Sequence, residues 1–391
     1  MTGGGDTSAD ITFPVGYHRF HRRRFYNFLL NRWHALGYAR REDMARAGRR
    51  IRSFAAWRRE MLQLADEALA DGRLVNAAFY TRAAEFLVRS GDPEKLALYD
   101  RFAERFAAAF AGAPLERHHV PYPGAPLPVV RLAAEPGPPR GTIILHGGFD
   151  SFIEEWYSMM RAFARRGYTV IGFEGPGQGA ALRRGGLPLI IEWEKPVGAV
   201  LDQFDLDGCT LVGLSMGGWL ALRAAAFEPR VRRVIASGHA MDYMRCMPEP
   251  LRRLHLWCLA HCRGFMERMA VLKFEGREGV APWAVDHLKF ITRRPKILDA
   301  LGIYVDMNAE NLHAERVRQD VLIMAGREDH LVPFRMHGRQ MRALTGARSV
   351  TERVFTRADQ APHHCQTGNI GLAVDVMTEW LARISANHDK S

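Results

Sequence analysis

The chain has 391 residues, 47% of them hydrophobic and 25% charged, and it carries a net charge of +11 with an isoelectric point near 9.7. This length and composition are typical of a globular protein with one large core or two to three domains, and they exclude a largely disordered chain. No run approaches the roughly 18 apolar residues of a membrane span, residues 1–10 lack the apolar segment of an export signal, and the five cysteines are scattered, so we expect a cytoplasmic protein with no membrane partner.

The first part of the chain is predicted to be helical. Residues 1–16 are polar and glycine-rich at their start and are expected to be flexible. Residues 17–114 carry apolar side chains at spacings of three and four, with almost no strand pattern. We therefore expect a helical N-terminal domain of about four helices over residues 17–114, and no catalytic group within it.

A basic cluster over residues 18–24 is interleaved with aromatic side chains, a combination that raises nucleic-acid binding as a hypothesis. However, Phe25, Phe28, Leu29 and Trp33 recur beside it at helical spacing, which favours the solvated face of a first helix. We therefore expect no nucleic-acid partner. Docking of an acidic protein, such as an acyl carrier protein, stays open as a hypothesis.

From residue 115 onward, strand patterns alternate with helical ones. Strands are predicted over residues 115–122, 126–132, 141–145, 168–173, 210–212 and 231–236. The run at residues 141–145 is apolar on both faces, as in a buried parallel strand. The alternation predicts an α/β fold with a doubly wound, mostly parallel sheet, whose first part is residues 115–240.

The alternation stops over residues 241–316, which are helical in period and rich in leucine, methionine, tryptophan and phenylalanine. It resumes with a strand at residues 321–324 and continues to a final amphipathic helix. An insert at this place in a doubly wound sheet lies over the carboxyl edge of the strands, where ligands bind. We predict a helical cap with an apolar lid over residues 241–316, and the second part of the core over residues 317–391.

The candidate nucleophile is Ser215, in the pattern Gly213-x-Ser215-x-Gly217. A β-branched and apolar run precedes it and a strong helix former follows, which gives strand, tight turn and helix. The serine of such a turn takes a strained backbone conformation, and glycines on either side remove the side chains that would collide. The helix start beneath the hydroxyl favours developing negative charge, so the Met216 amide is a predicted oxyanion donor.

A serine hydroxyl needs a base, and the base needs a carboxylate to orient it. The acid is expected after the strand at residues 321–324, where Asp329 is preferred over its neighbour Glu328. The base is expected before the last helix, where His363 and His364 are adjacent, and we prefer His364. His330, beside the acid, is a weaker rival for the base.

A second oxyanion donor is expected in the glycine-rich loop after residues 143–145, at Gly148 or alternatively at Phe149.

Two other patterns resemble a nucleotide-binding loop and a metal site, and we assign neither function to them. The glycine-rich run at residues 175–179 lacks the spacing of a nucleotide loop and is interpreted as a turn. His255, Cys258 and Cys262 share a helical face but lie in an apolar run, so we expect core thiols and no metal site.

The chain resembles α/β-hydrolases similar to 2,6-dihydroxypseudooxynicotine hydrolase and to fungal polyketide-shortening hydrolases of pigment biosynthesis. The resemblance lies in residues 80–87, in residues 147–151 with the two glutamates that follow, in the elbow at Ser215, and in the ending at residues 364–366. It implies an α/β-hydrolase fold with a Ser215–His364–Asp329 triad, no metal, a site under a helical cap, and often a dimer. His363 departs from the pattern and leaves the choice of base open.

Known members of the family cleave a carbon–carbon bond beside a ketone in aromatic or polyketide substrates, and relatives act as esterases. We therefore expect a serine hydrolase that forms an acyl-enzyme on an apolar or aromatic ketone or ester, without a cofactor and with a homodimer as one option. The alternatives are an acyl transferase or cyclase, a plain carboxylesterase, and a hydrolase-fold binding protein. The candidate substrate-binding residues are Phe149, Trp257, Phe265, Trp283 and Tyr304.

Overall fold

The structure is a computed structural model and describes residues 11–388. The first ten residues of the segment predicted to be flexible lie outside the described residues. Residues 11–16 form no helix or strand and lie against the rest of the protein, with Ile11 and Phe13 packed on the hydrophobic core. The Gly16 amide donates a hydrogen bond to the Gly368 carbonyl at 2.7 Å, which ties this segment to the turn before the last helix.

Five helices form a layer ahead of the sheet. The third begins at an N-cap, since the Ser53 hydroxyl accepts a hydrogen bond from the Ala56 amide at 3.1 Å. In the fourth helix every residue from Ala77 to Phe86 is buried, including Arg82 and Glu85, so this helix is the centre of the layer. The helices are α1 (Arg24–Ala35), α2 (Arg41–Arg50), α3 (Phe54–Ala70), α4 (Leu74–Phe86) and α5 (Glu94–Ala109).

The sheet has eight strands in the order β1-β2-β4-β3-β5-β6-β7-β8. The first two are antiparallel to their neighbours, and β3 to β8 are parallel to one another. All six residues of the central strand β5 are buried, as expected for an apolar run between two layers. The strands are β1 (Leu115–Val120), β2 (Leu127–Leu132), β3 (Thr142–His146), β4 (Thr169–Phe173), β5 (Cys209–Leu214), β6 (Val231–Ser237), β7 (Asp320–Gly326) and β8 (Ser349–Phe355).

Helices cover both faces of this sheet, which is the doubly wound arrangement that the alternation predicts. Alternate residues of β3 belong to different cores: Ile143 and Leu145 pack with the helical layer, and Ile144 packs on the other face. The helical layer therefore shares one hydrophobic core with one face of the sheet. The helices of this part are α6 (Tyr157–Ala164), α7 (Gly179–Arg183), α8 (Glu194–Gln203), α9 (Gly217–Ala225), α15 (His337–Ala343) and α16 (Ile370–His388).

The cap lies between β6 and β7 in the chain. Its inner helices contribute buried side chains such as Leu288 and Ile303 to the core that contains β5 and α9. The cap helices are α10 (Glu249–His261), α11 (Arg263–Phe274), α12 (Val280–Thr292), α13 (Ile297–Asp306) and α14 (Ala309–Leu312). None of the helices within residues 11–388 combines the length and the apolar character needed to cross a bilayer.

Candidate active site

The turn between β5 and α9 holds Ser215 in a strained conformation. Its φ is 59°, in the left-handed region that non-glycine residues rarely adopt. A Cβ on Gly213 would lie 2.1 Å from the Gly217 carbonyl oxygen, so strand and helix meet too closely for a side chain at this position. The Ser215 amide donates to the Ser237 carbonyl at 2.8 Å, which fixes the turn to the neighbouring strand β6. The elbow therefore raises the Ser215 hydroxyl above the carboxyl edge of the sheet.

Three side chains from different loops meet at this edge. The Ser215 hydroxyl lies 2.9 Å from His364 Nε2, and His364 Nδ1 lies 2.7 Å from Asp329 Oδ2. The other Asp329 oxygen accepts hydrogen bonds from the Leu331 and Val332 amides at 2.8 and 3.0 Å. The carboxylate is thus held by the loop after β7, and it fixes the ring that faces Ser215.

His364 and Asp329 each stabilise the charged form of the other. Burial alone would lower the pKa of His364, but the adjacent Asp329 carboxylate outweighs it and holds that pKa well above its usual range. Burial alone would raise the pKa of Asp329, but His364 and the two loop amides lower it. Asp329 is therefore ionised at neutral pH, and the site stabilises an imidazolium at His364.

The neighbouring candidates from the sequence lie elsewhere. The His363 ring packs against Tyr17, with 3.7 Å between ring centroids and 39° between the ring planes, so the structure brings His364 and not His363 to Ser215. Glu328 pairs with Arg357 on the surface at 2.5 Å. His330 packs edge-on against Phe28 at 4.6 Å and lines the cleft, and burial lowers its pKa to about 4.

The loop after β3 lies directly over the start of α9. A Cβ on Gly148 would lie 2.7 Å from the Met216 amide nitrogen, so only glycine allows this approach. Within residues 11–388 the amides of Met216, Gly148 and Phe149 have no hydrogen-bond acceptor. Free amides beside the serine are the arrangement that stabilises an oxyanion.

Contacts from three directions hold this loop. Gln178 Nε2, from the glycine-rich turn after β4, donates to the Gly147 and Gly148 carbonyls at 2.8 and 3.3 Å. From the cap, His287 Nε2 lies 2.8 Å from the Phe149 carbonyl; burial lowers the pKa of His287 to about 4, so the ring is neutral and donates. From the helical layer, Arg82 donates to the Asp150 carbonyl at 2.6 Å. The loop is therefore positioned before any ligand binds.

A buried ion cluster continues from this loop into the helical layer. The Glu155 carboxylate accepts from Arg32 at 2.6 Å and from Arg82 at 2.8 Å. Glu85 pairs with Arg82, with Arg183 at 2.8 Å and with Lys95 at 3.0 Å. We call this set the ion cluster: Arg32, Arg82, Glu85, Lys95, Asp150, Glu155 and Arg183. Because it joins helices α1, α4 and α5 to the loop over Ser215, it fixes the helical layer as one wall of the site.

Ser215 lies at the floor of a cleft with two recesses. The larger one, the aromatic recess, contains about 1070 Å³ of space, part of it open to solvent. The cap contributes Trp283 and Tyr304, and Tyr304 stacks on Tyr243 with 5.3 Å between ring centroids. The recess is lined by Phe25, Phe28, Leu29, Phe86, Phe149, Asp150, Met216, Tyr243, Cys246, Val280, Trp283, Ala284, Tyr304, His330, Leu331 and Val332, with Ser215, Gly238 and His364 at its base.

The second recess, which we call the side recess, contains about 510 Å³ of space, part of it open to solvent, and also reaches Ser215 and His364. It contains a charged pair, since Arg32 Nη1 lies 3.0 Å from Asp150 Oδ1. The other Asp150 oxygen has no hydrogen-bond partner among residues 11–388, and the side chain is one-quarter exposed. A polar acceptor therefore lies beside an otherwise apolar cleft.

The substrate-binding predictions divide into two groups. Phe149, Trp283 and Tyr304 line the aromatic recess. The predictions for Trp257 and Phe265 are corrected, because these side chains lie on the outer face of the cap, 55% and 65% exposed, and not in the cleft. Their helices carry apolar residues on more than one side, so the sequence alone does not identify the inward face.

Sequence reasoning also missed residues that line the cleft. Phe25, Phe28 and Leu29 of α1 and Phe86 of α4 form part of the aromatic recess, whereas our expectation for the helical domain was only that it holds no catalytic group. Their apolar periodicity was visible, but it indicates a buried face without saying what the face contacts.

Within residues 11–388, no group of three or more histidine, cysteine or acidic side chains has the arrangement of a metal site.

Comparisons with known proteins agree with this architecture. A family model described as "Alpha/beta hydrolase family" matches residues 143–366, more than half of the 391 residues. Three curated relatives are similar in sequence. Hydrolase acrC of Aspergillus aculeatus is 36% identical over 229 residues, covering 48% of this chain and 53% of the relative. The 20-hydroxy-prefusarin hydrolase FUS2 of Gibberella moniliformis is 35% identical over 224 residues, covering 48% and 52%.

The third relative, 2,6-dihydropseudooxynicotine hydrolase of Paenarthrobacter nicotinovorans, is 34% identical over 181 residues, covering 43% of this chain and 47% of the relative. The chain thus spans about half the length of the curated relatives it matches. The crystal structure of the 2,6-dihydroxy-pseudo-oxynicotine hydrolase superposes with a TM-score of 0.65 at 23% identity, covering 90% of this chain and 94% of that one. At this identity the likeness shows the fold.

Proposed function

The chain belongs to the alpha/beta hydrolase family, and from that premise we propose that it is a serine hydrolase that uses a Ser215–His364–Asp329 triad. Its reaction is hydrolysis, through an acyl-enzyme, of a carbon–carbon bond next to a ketone or of an ester in an aromatic or polyketide-like small molecule. The observation that carries the proposal is the continuous hydrogen-bond chain from Ser215 through His364 to Asp329 at the floor of an aromatic cleft.

The first step is attack by Ser215 on a substrate carbonyl. His364 Nε2, 2.9 Å from the hydroxyl, takes the serine proton, and the ionised Asp329 stabilises the resulting imidazolium. The carbonyl oxygen becomes an oxyanion that accepts hydrogen bonds from the Met216 and Gly148 amides. Both amides have no other acceptor among the described residues, which supports this assignment.

The second step breaks the bond between the carbonyl carbon and the leaving group. In a 1,3-diketone the carbon fragment leaves as the enolate of the second carbonyl, and His364 returns the proton to its carbon; in an ester an alkoxide leaves and takes the same proton. Water, deprotonated by His364, then attacks the acyl-enzyme and releases a carboxylic acid and free Ser215. A leaving carbanion needs a conjugated or aromatic partner, and the aromatic recess suits such a group.

The shape of the cleft supports a two-part substrate. The aromatic recess is lined mainly by aromatic and aliphatic side chains, and the side recess is smaller and contains the Arg32–Asp150 pair. We infer that an apolar ring system occupies the aromatic recess and a smaller polar fragment the side recess. The name of one relative, a 20-hydroxy-prefusarin hydrolase, is consistent with a hydroxylated small molecule as substrate.

The test uses a matched pair of substrates with the same acyl group and the same aryl group. In one the two are joined as a 1,3-diketone or acyl-phenol ketone, and in the other as the aryl ester. We expect release of a carboxylic acid from at least one of them, detected by mass spectrometry, and its loss in Ser215→Ala. Acid and ketone products from the diketone establish carbon–carbon hydrolysis, whereas turnover of the ester alone makes the protein an esterase.

An acyl transferase or cyclase is separated from a hydrolase by adding methanol or a thiol to the same reaction. If the ester of the added alcohol replaces the acid as main product, the acyl-enzyme forms but water is not the acceptor. Absence of any product from either substrate, together with no acyl adduct on the intact protein, would contradict the proposed function.

A further inference from the structure

The side recess contains a polar corner formed by Asp150 and Ser151, which both line it. Asp150 Oδ1 accepts a hydrogen bond from Arg32 at 3.0 Å, and the other carboxylate oxygen has no partner among residues 11–388. Ser151 is only 7% exposed, and its hydroxyl likewise has no hydrogen-bond partner in the described part of the chain. Polar groups that line a cavity without a partner of their own indicate a place for a polar group of a ligand.

The polar corner lies next to the reacting atoms. Ser215 lines the same recess, and Asp150 comes two residues after Gly148, the candidate oxyanion donor. A Cβ on Gly147 would lie 2.0 Å from Ser151 Oγ, so this hydroxyl lies against the backbone of the loop over Ser215. Asp150 also lines the aromatic recess and therefore stands where the two recesses meet. A substrate group bound at the corner is thus close to the carbonyl that Ser215 attacks.

Asp150 is a hydrogen-bond acceptor at neutral pH. Burial alone would raise the pKa of Asp150, but the adjacent Arg32 guanidinium outweighs burial and holds that pKa below its usual range. An ionised carboxylate only accepts hydrogen bonds, whereas the Ser151 hydroxyl both donates and accepts. The two side chains together complement a group that donates one hydrogen bond and accepts another. A hydroxyl does both, whereas a carbonyl only accepts and an ammonium only donates.

The charges around the corner disfavour an ammonium group. The ion cluster contains four cationic side chains and three carboxylates, so its net charge is positive. The Asp150 carboxylate is already paired with Arg32 at 3.0 Å. A second cation at the corner would therefore be repelled by the Arg32 guanidinium.

A substrate carboxylate is disfavoured as well, because Arg32 is already committed. Its Nη1 donates to Asp150, and its Nη2 donates to Glu155 at 2.6 Å. Bidentate binding of a carboxylate needs two parallel N–H groups of one guanidinium, and here each terminal nitrogen already holds a carboxylate oxygen. The free oxygen of Asp150 would in addition repel an anion. A neutral hydroxyl is the group that fits the corner.

We propose that Asp150 and Ser151 form a hydroxyl-binding subsite, and that the substrate carries a hydroxyl group on its smaller fragment, close to the reacting carbonyl. The inference rests on the proposed hydrolase function and adds the chemistry of the fragment that occupies the side recess. The substrate hydroxyl donates to the free Asp150 oxygen and accepts from the Ser151 hydroxyl. These two hydrogen bonds hold the small fragment while the ring system occupies the aromatic recess, which places the carbonyl over Ser215.

The test compares aryl esters that share one aryl group and differ in the acyl chain: butanoate, 2-hydroxybutanoate, 3-hydroxybutanoate, 3-(dimethylamino)butanoate and succinate. The same acyl chains are also presented as aryl 1,3-diketones. Each kcat/KM is divided by the rate of alkaline cleavage of the same compound, which removes differences in intrinsic reactivity. We expect one of the hydroxy compounds to exceed the butanoate by about 10- to 100-fold, the range for a hydrogen bond to a charged acceptor. The amino and succinate compounds should be no better than the butanoate.

Variants of the corner test which side chains cause this hydroxyl preference. Asp150→Asn and Ser151→Ala should each reduce it by about 3- to 10-fold, as expected for the loss of one hydrogen bond. The preference is a ratio measured on one variant, so a general loss of activity does not change it. Ile370→Val alters an apolar wall of the same recess and is the matched control, in which the preference should persist.

The outcomes separate the subsite from the hydrolase. A wild-type protein that cleaves the hydroxy compounds no faster than the butanoate overturns the subsite and leaves the proposed hydrolase function intact. A hydroxyl preference that persists unchanged in both Asp150→Asn and Ser151→Ala also overturns it. Faster cleavage of the amino or succinate compound would assign the corner to a charged group and would contradict the proposal. Cleavage of neither series, with Ser215→Ala as background, would contradict the proposed function and the subsite with it.

Discussion

The substitution Glu85→Gln tests the ion cluster that joins the helical layer to the loop over Ser215. Glu85 is fully buried and contacts three cations: Arg82, Arg183 at 2.8 Å and Lys95 at 3.0 Å. Arg82 keeps Glu155 as a partner, but Arg183 and Lys95 have no other carboxylate within ion-pair distance in the described part of the chain. The variant therefore leaves two buried cations uncompensated.

The expected loss of stability follows from the loss of these buried ion pairs. Removal of one partner from a buried ion pair costs about 3–5 kcal/mol. The unfolding entropy of a 391-residue chain, at roughly 2 cal/mol/K per residue, is about 0.8 kcal/mol/K. The expected loss of melting temperature is therefore about 4–6 °C. Lys95 limits the loss: burial, with the nearby arginines, already lowers its pKa to about 8, so it can release its proton.

The assay is thermal unfolding at several pH values, with Glu94→Gln as control. Glu94 pairs with Arg58 at the surface, so its loss should cost less than about 1 kcal/mol. In Glu85→Gln the folded state binds fewer protons at Lys95 than the unfolded state, so stability should rise as pH increases from the lowered pKa toward the unfolded value near 10.4. A shift no larger than that of Glu94→Gln would refute the role of the cluster.

Four further predictions concern the site. If His364 is the base, the acid limb of kcat/KM lies above pH 6.5, because activity rises as the imidazole loses its proton through a raised pKa. Asp329→Asn should lower kcat by roughly 10⁴ and move that limb to lower pH; an unchanged limb would count against the pair. Gly148→Ala, whose Cβ would lie 2.7 Å from the Met216 amide nitrogen, should push the loop away from Ser215 and lower kcat by roughly 10²–10³ in steady-state assays while the fold persists, and retained activity would show that this close approach is not required. Trp283→Ala should raise KM for a bulky aryl substrate far more than for a short-chain ester, and equal effects on both would place the ring system elsewhere.

The mostly parallel sheet, the strand–turn–helix elbow and the position of the loop that carries Asp329 could be predicted because local rules determine them. A strand followed by glycine, serine and glycine leads to one kind of turn, and the loop after β7 lies at the same sheet edge as the loop after β5. The choice between His363 and His364 was open because the sequence does not show in which direction each of two adjacent side chains points. The left-handed backbone at Cys365, with φ of 49°, and the packing of the His363 ring against Tyr17 determine that direction.

Contacts between distant elements could not be predicted. The apolar pattern of α1 predicts a buried face, but only the packed structure shows that Phe25 and Phe28 face the cleft over Ser215. The same limit explains the errors at Trp257 and Phe265, where an apolar residue on a cap helix was taken to face inward. Hydrophobic periodicity shows which face of a helix is buried. Which element packs against that face depends on the tertiary fold.

The central claim is that Ser215 is the nucleophile activated by His364. The most direct test is reaction of the native protein with a fluorophosphonate, followed by intact mass and peptide mapping. The account predicts one phosphonyl adduct, located on Ser215, that is absent in Ser215→Ala and much slower to form in His364→Ala. No adduct on the native protein, or an equal adduct on Ser215→Ala, would contradict it.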